Sequence, residues 1–462
     1  MKKIKVCAIV INSISRDARV IKEATSLASE GYDVKVLGIQ DERFNLPSEL
    51  YMDSVKLIRL NLKTIKNFIQ GMIIFFALCT LYLFYLLEFH SLTYYGFILA
   101  LLALIFVVKY QTENQQLINN NRFISNFKKF FLMLRESLLS VIIGLKQIVL
   151  AFVFIRVIIK IRPNILHCHD IHTLPIGVLA KWLINCKLVY DAHEIYEEVP
   201  QVLQDKNKLR SFRRIHFFCQ KYIDKFITIN PSIADWYKKK YPCLPEPTVI
   251  MNATSLSNLF EYDGRLHEAA GLASDVNILL YQGGFSMHRG LDYLLKSAEY
   301  LPSNWVLVMM GWGSYEGHLK ALADEINNRT LASGRTEIIK FVPPAPQSDL
   351  VKWTAGGTIG IIPYEKTGLN HWYCTPNKLW EFPNAGLPLI VSPFPELRRP
   401  IDEYKNGWVM PEDEDVYFIG KLIAGLTPDD IKKASLNSRC FIESDNWYTY
   451  EQRLIKLYKQ LN

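Results

Sequence analysis

The feature that most limits the fold of this chain is a repeated alternation of short apolar segments with segments of helical periodicity. The first apolar segment, 6–11, is followed by a helical pattern at 17–30 and by a second apolar segment at 33–39. Gly31 ends the helical pattern, where a left-handed residue commonly terminates a helix. Strand, helix and strand at this spacing form a βαβ unit, so the sequence predicts an α/β fold with parallel sheets.

The alternation runs twice through the 462 residues, which are too many for one ordinary core. The first series ends near residue 250, and the second begins at Asn277 after a loosely patterned segment, 250–274, in which we expect the hinge. We therefore predict two Rossmann-like domains facing a cleft, at 1–250 and 275–445. The amphipathic segment 446–462 is expected to form a helix.

Two apolar runs without charged residues, 68–87 and 92–108, interrupt the first series. A helix of about twenty residues spans the hydrocarbon core of a bilayer, whereas a globular helix usually keeps a polar stripe. The runs therefore predict a membrane hairpin at 68–108 within a larger insert, 64–162. Lysines flank the open ends of the hairpin and its tip has none, so both ends are expected in the cytosol. A pair of buried core helices is the alternative.

Cations and apolar residues are mixed in the segment that follows the hairpin. At 122–145 this pattern is typical of a basic amphipathic helix lying in a headgroup layer, whereas 146–161 leads directly into a strand and is better interpreted as a surface helix. The net charge of +8 suits an anionic partner, but the chain has no nucleic-acid motif, and no nucleic-acid partner is expected. The eight cysteines form no CxxC pair, which indicates reduced thiols. We predict a location at the cytoplasmic face of the inner membrane.

Three turns that follow strands of the second series contain residues suited to binding phosphates. Helix N-termini and guanidinium groups at the cleft edge of a parallel sheet bind anions, so these turns and Arg289 predict a diphosphate site. Thr375 is expected to cap the helix that follows it. Glu381, within that helix, is placed to accept both hydroxyls of a ribose. The turn residues are Gly283, Gly284, Gly311, Gly313, Thr375, Pro376 and Asn377.

Six segments in both halves of the chain resemble the retaining GT-B glycosyltransferases of family four, a large group of bacterial glycan-building enzymes. They are SRDARVIKEATSLASEGYDVKVL, ILHCHDIHTLPIGVLA, LVYDAHEIYEE, YQGGFSMHRGLDYLL, VMMGWGSYEGHLKAL and TPNKLWEFPNAGLPLIVSPFPEL. The resemblance implies transfer of a hexose-type sugar from a UDP- or GDP-sugar to a glycan acceptor, with retention and without a metal ion or other cofactor. It also implies that the helix at 446–462 crosses back to the first domain. Since a membrane hairpin is also predicted, the expected acceptor is lipid-linked.

The resemblance also implies roles for single residues. The phosphate-binding lysine of the family falls on Arg289, and the ribose-binding glutamate falls on Glu381. The first glutamate of the family's pair falls on Tyr373, and we expect Asn377 or Lys378 to take over part of its task. A strand-end histidine of the family corresponds to His193, near the donor sugar and the acceptor. The expected catalytic residues are His193, Arg289 and Lys378.

Departures from the family pattern leave two other functions open. Tyr373 replaces a glutamate, and Gly284 stands where the family often has an arginine. A sugar-nucleotide epimerase of the same fold is one alternative, and a non-catalytic, membrane-anchored partner of a glycan assembly complex is the other.

Two acidic or histidine-rich strings invite a metal site. Alternating residues on a strand share a face, which would bring His167 and His169 together near Asp170 and His172. No glutamate or paired cysteine lies nearby in the sequence, so no metal site is predicted. The acidic string 413–415 is interpreted as a solvated loop.

Overall fold

The computed structural model describes residues 3–15, 17–41, 46–61, 71, 144, 146–258, 261–412 and 415–461. The predicted membrane hairpin, 68–108, and the predicted basic segment, 122–145, lie outside these residues except for positions 71 and 144. Among the helices that the structure describes, none has the length and hydropathy needed to cross a bilayer.

The N-terminal domain is built on an eight-stranded sheet. Its strands are β1 Lys5–Ile9, β2 Asp33–Ile39, β3 Ser48–Tyr51, β4 Val55–Leu60, β5 Ile165–His169, β6 Lys187–Ala192, β7 Lys225–Thr228 and β8 Pro247–Val249. They lie in the order β3-β4-β2-β1-β5-β6-β7-β8, and only the β3–β4 pair is antiparallel. Apolar clusters cover both faces, which is why the central strands read as continuous apolar runs.

Helices cover both faces of this sheet. They are α1 Ala18–Ser29, α2 at 146–161, α3 Leu174–Ile184, α4 Pro200–Leu203, α5 Lys206–Cys219 and α6 Pro231–Lys240. One face packs against α1, whereas α2, α3, α5 and α6 contribute to the apolar cluster on the opposite face. The surface helix expected at 146–161 is confirmed, because Phe154 and Ile158 bury its inner side.

The C-terminal domain repeats the architecture with six parallel strands. These are β9 Asn277–Gly284, β10 Trp305–Trp312, β11 Ile339–Val342, β12 Ile359–Ile362, β13 Leu389–Val391 and β14 Gly407–Val409, in the order β11-β10-β9-β12-β13-β14. Its helices are α7 Arg265–Ala270, α8 Leu291–Ala298, α9 Glu316–Ala332, α10 Leu350–Thr354, α11 Leu369–Trp372, α12 Lys378–Asn384, α13 Pro395–Tyr404, α14 Phe418–Gly425 and α15 Pro428–Ser444.

The chain passes between the two domains twice. The first passage follows β8, and its expected extent of 250–274 is too long, because α7 lies within it and packs against the C-terminal domain. The second passage leads into α16, Trp447–Lys459, which returns to the N-terminal domain. There the Tyr458 hydroxyl lies 2.8 Å from His167 Nδ1, and the Trp447 indole donates to Ser26 Oγ at 3.3 Å.

Candidate functional site

Two cationic side chains converge on one tyrosine at the cleft edge of the C-terminal sheet. The guanidinium of Arg289 lies over the Tyr364 ring, 4.3 Å from its centroid, and Lys378 Nζ donates to the Tyr364 hydroxyl at 3.1 Å. The Lys378 ammonium also lies 4.8 Å from the ring centroid of Tyr281. Because a cation over an aromatic face is stabilised without being neutralised, both charges stay available for an anionic ligand.

The glycines of the first two turns bring the backbone close to these cations. Gly283 has a φ of +119°, and a Cβ there would lie 3.1 Å from Lys378 Nζ. A Cβ on Gly311 would lie 1.9 Å from the Gly283 carbonyl oxygen, and one on Gly313 would lie 2.0 Å from that of Phe285. Gly283 and Gly311 are paired inside β9 and β10, so their predicted position in turns after these strands is wrong, and Gly311 lets the two strand ends lie close together. Gly313 follows β10 and lets that turn pack against the backbone of Phe285, directly after β9. Gly284 is exposed, with open space where a side chain would project.

The third turn connects the donor side of the cleft to the N-terminal domain. The expected helix cap at Thr375 is wrong, since α12 begins at Lys378 and Asn377 occupies the cap position without a capping side-chain bond. Instead, Asn230 donates to Thr375 Oγ1 at 3.5 Å, and Asn252 donates to Asn377 Oδ1 at 3.0 Å. Pro376 accepts the first backbone bond of the turn, from Leu379 N–H.

Glu381 is fixed within the C-terminal domain by a short chain of hydrogen bonds. Gln282 Nε2 donates to its carboxylate at 2.9 Å, and Thr354 Oγ1 donates to Gln282 Oε1 at 2.7 Å. Burial raises the pKa of Glu381, while the bond from Gln282 and the charges of Lys378 and Lys22 oppose that shift. A half-buried carboxylate with a second oxygen left over is suited to accept hydrogen bonds from a diol.

A cavity of about 380 Å³ lies between the domains. The turn after β1 contributes Asn12 and Ser13, α1 contributes Arg19, and the opposite wall is formed by Asn252 and Asn377. This cavity brings residues of the first turn of the N-terminal domain beside the predicted donor turn. It offers room for a polar ligand in contact with both domains.

His193 lies at the N-terminal side of the cleft, directly after β6. Its Nε2 is 3.0 Å from Asp191 Oδ2, and its Nδ1 is 3.3 Å from Asp170 Oδ1. Burial alone would lower the pKa of His193, but the two carboxylates outweigh burial and raise it to about 9. His193 is therefore an imidazolium at neutral pH, with both ring nitrogens directed at carboxylates in this conformation.

A buried charged cluster lies behind His193. The Arg19 guanidinium bonds to both oxygens of Asp191 at 2.9 Å and pairs with Glu23 at 3.0 Å. His167 and His169 stack on the same face of β5, with ring centroids 4.2 Å apart, as the strand alternation predicted. Their ring nitrogens and the carboxylates of Glu23 and Asp191 all lie within 4.8 Å of one another.

This cluster corrects one step of the sequence reasoning. The expectation that no glutamate lies near the histidines is wrong, because α1 carries Glu23 into contact with β5. His172, in contrast, lies apart and packs against the Phe212 ring. Within the described residues, Arg19 already supplies a positive charge between the two carboxylates of the cluster.

Sequence reasoning missed Tyr364 and Gln282. Tyr364 follows β12 and supports both cations, and Gln282 near the end of β9 orients Glu381. Gln282 directly follows the strand predicted at 277–281, which the structure extends to Gly284, and its polar side chain was the only signal, since such a side chain needs a partner when buried. The acidic string predicted as a loop lies outside the described residues at 413 and 414.

Two family models match the chain, one in each half. The family described as Glycosyltransferase Family 4 matches residues 137–257, and the family described as Glycosyl transferases group 1 matches residues 276–427. A curated relative, D-inositol 3-phosphate glycosyltransferase from Streptosporangium roseum, is 23% identical over 213 residues, which cover 44% of this chain. The match spans 48% of that relative, about half of its length.

Solved structures share the architecture over the whole chain. Sucrose-phosphate synthase from Thermosynechococcus elongatus aligns with a TM-score of 0.67 and 13% identity over 99% of both chains. Anabaena HepE in complex with UDP aligns with a TM-score of 0.62 and 12% identity, over 99% of this chain and 100% of that one. At such identities these neighbours show the fold, which is the two-domain GT-B-like fold of glycosyltransferases.

Glycosyltransferase family models thus match part of each half of the chain. At this level the prediction of a nucleotide-sugar-dependent glycosyltransferase is confirmed, as is the two-domain α/β fold. Retention, the transferred sugar and the acceptor stay predictions.

Proposed function

We propose that this protein transfers a hexose-type sugar from a UDP- or GDP-sugar to a lipid-linked glycan acceptor, with retention of the anomeric configuration. The observation that carries this proposal is the convergence of Arg289 and Lys378 on Tyr364, beside the half-buried carboxylate of Glu381. Two cations beside a diol-binding carboxylate match the charge and hydroxyl pattern of a nucleoside diphosphate. The solved complexes of HepE with UDP and with UDP-glucose support this choice of donor class.

In the proposed reaction, the bond between the anomeric carbon and the diphosphate oxygen breaks as the acceptor oxygen bonds to the same face of that carbon. The acceptor hydroxyl gives its proton to the departing phosphate oxygen. Arg289 and Lys378 stabilise the charge that develops on the diphosphate, and the backbone amides near Thr375 to Lys378 add to this field. These cations take the part that a metal ion plays elsewhere, so we expect full activity in the presence of EDTA.

His193 is proposed to act on the acceptor side of the cleft. Its imidazolium charge, held by Asp191 and Asp170, favours partial negative charge on a sugar hydroxyl near the reacting carbon. Because both ring nitrogens already have carboxylate partners, the effect of His193 is that of a fixed charge. Direct donation to the substrate would require the ring to release Asp170.

The lipid-linked acceptor is proposed from the apolar runs at 68–87 and 92–108, which favour attachment to the cytoplasmic face of the inner membrane. A catalytic cleft held at that surface meets acceptors confined to it. If a variant lacking 68–108 kept full activity on lipid-linked acceptors and still sedimented with membranes, this part of the proposal would be wrong.

Donor binding provides the first test. Thermal unfolding is measured with UDP-, GDP- and ADP-sugars, and we expect a UDP- or GDP-sugar to give the largest increase in Tm. Glu381→Ala should weaken the binding of that donor by roughly ten- to a hundredfold, since hydrogen bonds to charged groups contribute about 1.5–3 kcal/mol. Glu325→Ala, an exposed carboxylate of α9, serves as the control. If the donor raised the Tm of Glu381→Ala as much as that of the native protein, the ribose assignment would be wrong.

Product analysis provides the second test. With donor and a lipid-linked saccharide, we expect release of nucleoside diphosphate and a new glycosidic bond of the donor's configuration, both observable by NMR. Incubation with donor alone should leave the sugar nucleotide unchanged. An epimerised sugar nucleotide would favour an epimerase, and binding without transfer to any acceptor would favour a non-catalytic partner of a glycan assembly complex.

A further inference from the structure

One outer face of the N-terminal domain exposes aromatic side chains beside arginines. On α5, the side chains of Phe217 and Phe218 are 65% and 62% exposed, and on α3 that of Trp182 is 61% exposed. The Trp182 and Tyr222 rings meet edge to face at 5.1 Å, which joins the ends of the two helices into one surface. We call this surface, formed by the outward residues of α3 and α5, the aromatic-basic face.

The sequence of α5 repeats this arrangement at helical spacing. Arg210, Arg214 and Phe218 are four residues apart, and Arg213 and Phe217 lie on the same side of the helix. Residues 206–219 contain five Lys or Arg residues and no Asp or Glu. A helix of a globular domain normally turns its apolar residues inward, whereas this helix also exposes two phenylalanines, Phe217 and Phe218, beside its cations.

The cations of this face differ in whether they form ion pairs within the chain. Arg213 bonds to Glu197 at 3.2 Å, and Lys240 pairs with the same carboxylate at 3.0 Å. Arg210 and Arg214 make no ion pair with any part of the chain that the structure describes. A cavity of about 420 Å³ lies between Arg214, Phe217, Phe218 and Lys240. Its walls are apolar while its rim is positive, which complements an anionic headgroup with an attached acyl chain.

The helix through which the chain re-enters the domain covers the same side of the sheet. The inner residue Phe154 of α2 belongs to the apolar cluster that also contains Phe212 of α5. On its outer side, Ile148 and Phe152 are exposed. In the sequence, α2 directly follows the insert that contains the two long apolar runs, and α2 itself lies on the side of the sheet that carries the aromatic-basic face.

We propose that the aromatic-basic face docks on the surface of an anionic lipid bilayer, with Phe217, Phe218 and Trp182 inserted at the level of the headgroups. Arginines beside exposed aromatic rings bind such interfaces through combined apolar burial and attraction to anionic lipids. This inference deepens the proposed function, on which it rests for its biological role. It adds a second membrane contact that does not depend on the predicted hairpin.

The test measures hydrogen–deuterium exchange of the full chain in vesicles of phosphatidylcholine, with and without phosphatidylglycerol. We expect the anionic lipid to slow exchange in peptides from 174–184 and 206–222 by about tenfold, because each arginine adds to the attraction. Peptides from 428–444, on the C-terminal domain, should not change. No sugar transfer is involved, so failure of this test leaves the glycosyltransferase proposal standing.

Two variants and a matched control sharpen the result. Phe217→Ser with Phe218→Ser should abolish the lipid-dependent protection, as should Arg210→Gln with Arg214→Gln. The control pair, Leu436→Ser with Tyr448→Ser, replaces side chains of similar exposure, 62% and 66%, on another surface and should keep it. Since all of these side chains are mostly exposed, an unchanged Tm verifies folding. Protection that is the same in both lipid compositions would overturn the proposal and indicate that the chain's own apolar insert covers this face.

Discussion

At the scale of single residues, the predicted diphosphate site depends on the uncharged phenol of Tyr364. Tyr364 lies beneath Arg289 and accepts a hydrogen bond from Lys378, so one side chain sets the separation of two like charges. Ser392 Oγ donates to the Tyr364 carbonyl oxygen at 2.8 Å and fixes the backbone of that residue. In the proposed reaction Tyr364 is a positioning residue, since it would act on the diphosphate through the two cations.

Two different substitutions of Tyr364 should separate the effects that its two contacts have on the use of the donor. Tyr364→Phe loses only the bond from Lys378 and should raise the KM for the donor a few-fold with little change in kcat. Tyr364→Leu also removes the ring beneath Arg289, and because such a contact contributes about 0.5–2 kcal/mol, kcat/KM should fall a further two- to thirtyfold. Steady-state kinetics with the best donor measures KM and kcat for both variants and for the native protein. Equal effects of the two variants would contradict the role of the ring.

The pH dependence of stability should report the charge of His193. Its pKa is raised from the ordinary value of 6.5 to about 9 in the folded protein. The protonated form is thus stabilised by folding, and this contribution is present below pH 6.5 and is lost as the pH rises through 9. Urea unfolding of the native protein and of His193→Asn should therefore differ most below pH 6.5. A constant difference from pH 6 to pH 10 would be inconsistent with the ion pairs of this residue.

Some of these residues were predictable and others were not. Arg289, Lys378 and Glu381 follow from a motif, because short stretches of sequence specify their spacing in the fold. Tyr364 and Glu23 contribute through contacts between segments far apart in the chain, and hydropathy carries no information about such contacts. Thr375 failed as a cap because the turn that contains it bonds to Asn230 of the other domain.

At the scale of elements, the start of α8 depends on one glycine. Gly290 has a φ of +66°, and a Cβ there would lie 1.7 Å from the carbonyl oxygen of Pro363. This close approach holds Arg289 next to the turn that carries Tyr364. The turn between β9 and α8 is therefore coupled to the turn after β12.

Gly290→Ala should displace this turn. We expect a loss of more than about 2 kcal/mol in the free energy of unfolding, together with weaker donor binding, since both a strained φ and a clash result. Gly317→Ala is the matched control, because Gly317 lies in α9 with nothing within 4 Å of the added Cβ. That control should be neutral or stabilising by up to about 1 kcal/mol. Chemical denaturation compares the two variants.

Strands were predicted where apolar runs were long, and missed where they were short. The runs that became β2 and β9 are continuous because both faces of each sheet are buried. Two strands, β3 and β14, have only four and three residues with intermediate or exposed side chains, so neither contains a long buried apolar run. Their pairing partners, β4 and β13, determine that they form.

At the scale of the whole molecule, α16 joins the end of the chain to the N-terminal domain. Trp447 is buried against α1, where its indole donates to Ser26 and Lys22 Nζ lies 5.2 Å from its ring centroid. Trp447→Ala should lower the free energy of unfolding by about 3–5 kcal/mol, as for other buried tryptophans. Tyr448→Ala, at the exposed neighbouring position, should change it by less than about 0.5 kcal/mol. Equal losses in urea denaturation would show that α16 contributes no packing.

The two-domain organisation was readable from the sequence because each domain repeats the same alternation of strand and helix. The position of the passage between the domains was less certain, since the six residues of α7 are too few to show a helical period. The insert at 64–162 divides into a described part, α2, and a segment whose predicted membrane role awaits the experiments above.

The two passages between the domains touch each other, because Trp447 N–H donates to the Thr254 carbonyl oxygen at 2.9 Å. A single connecting segment would let one domain rotate freely relative to the other. Two interdomain passages joined by a hydrogen bond can bend together in one direction, but they resist rotation of one domain about the connection. We therefore expect the cleft to open and close by a nearly planar swing that preserves the mutual alignment of Arg289 and His193.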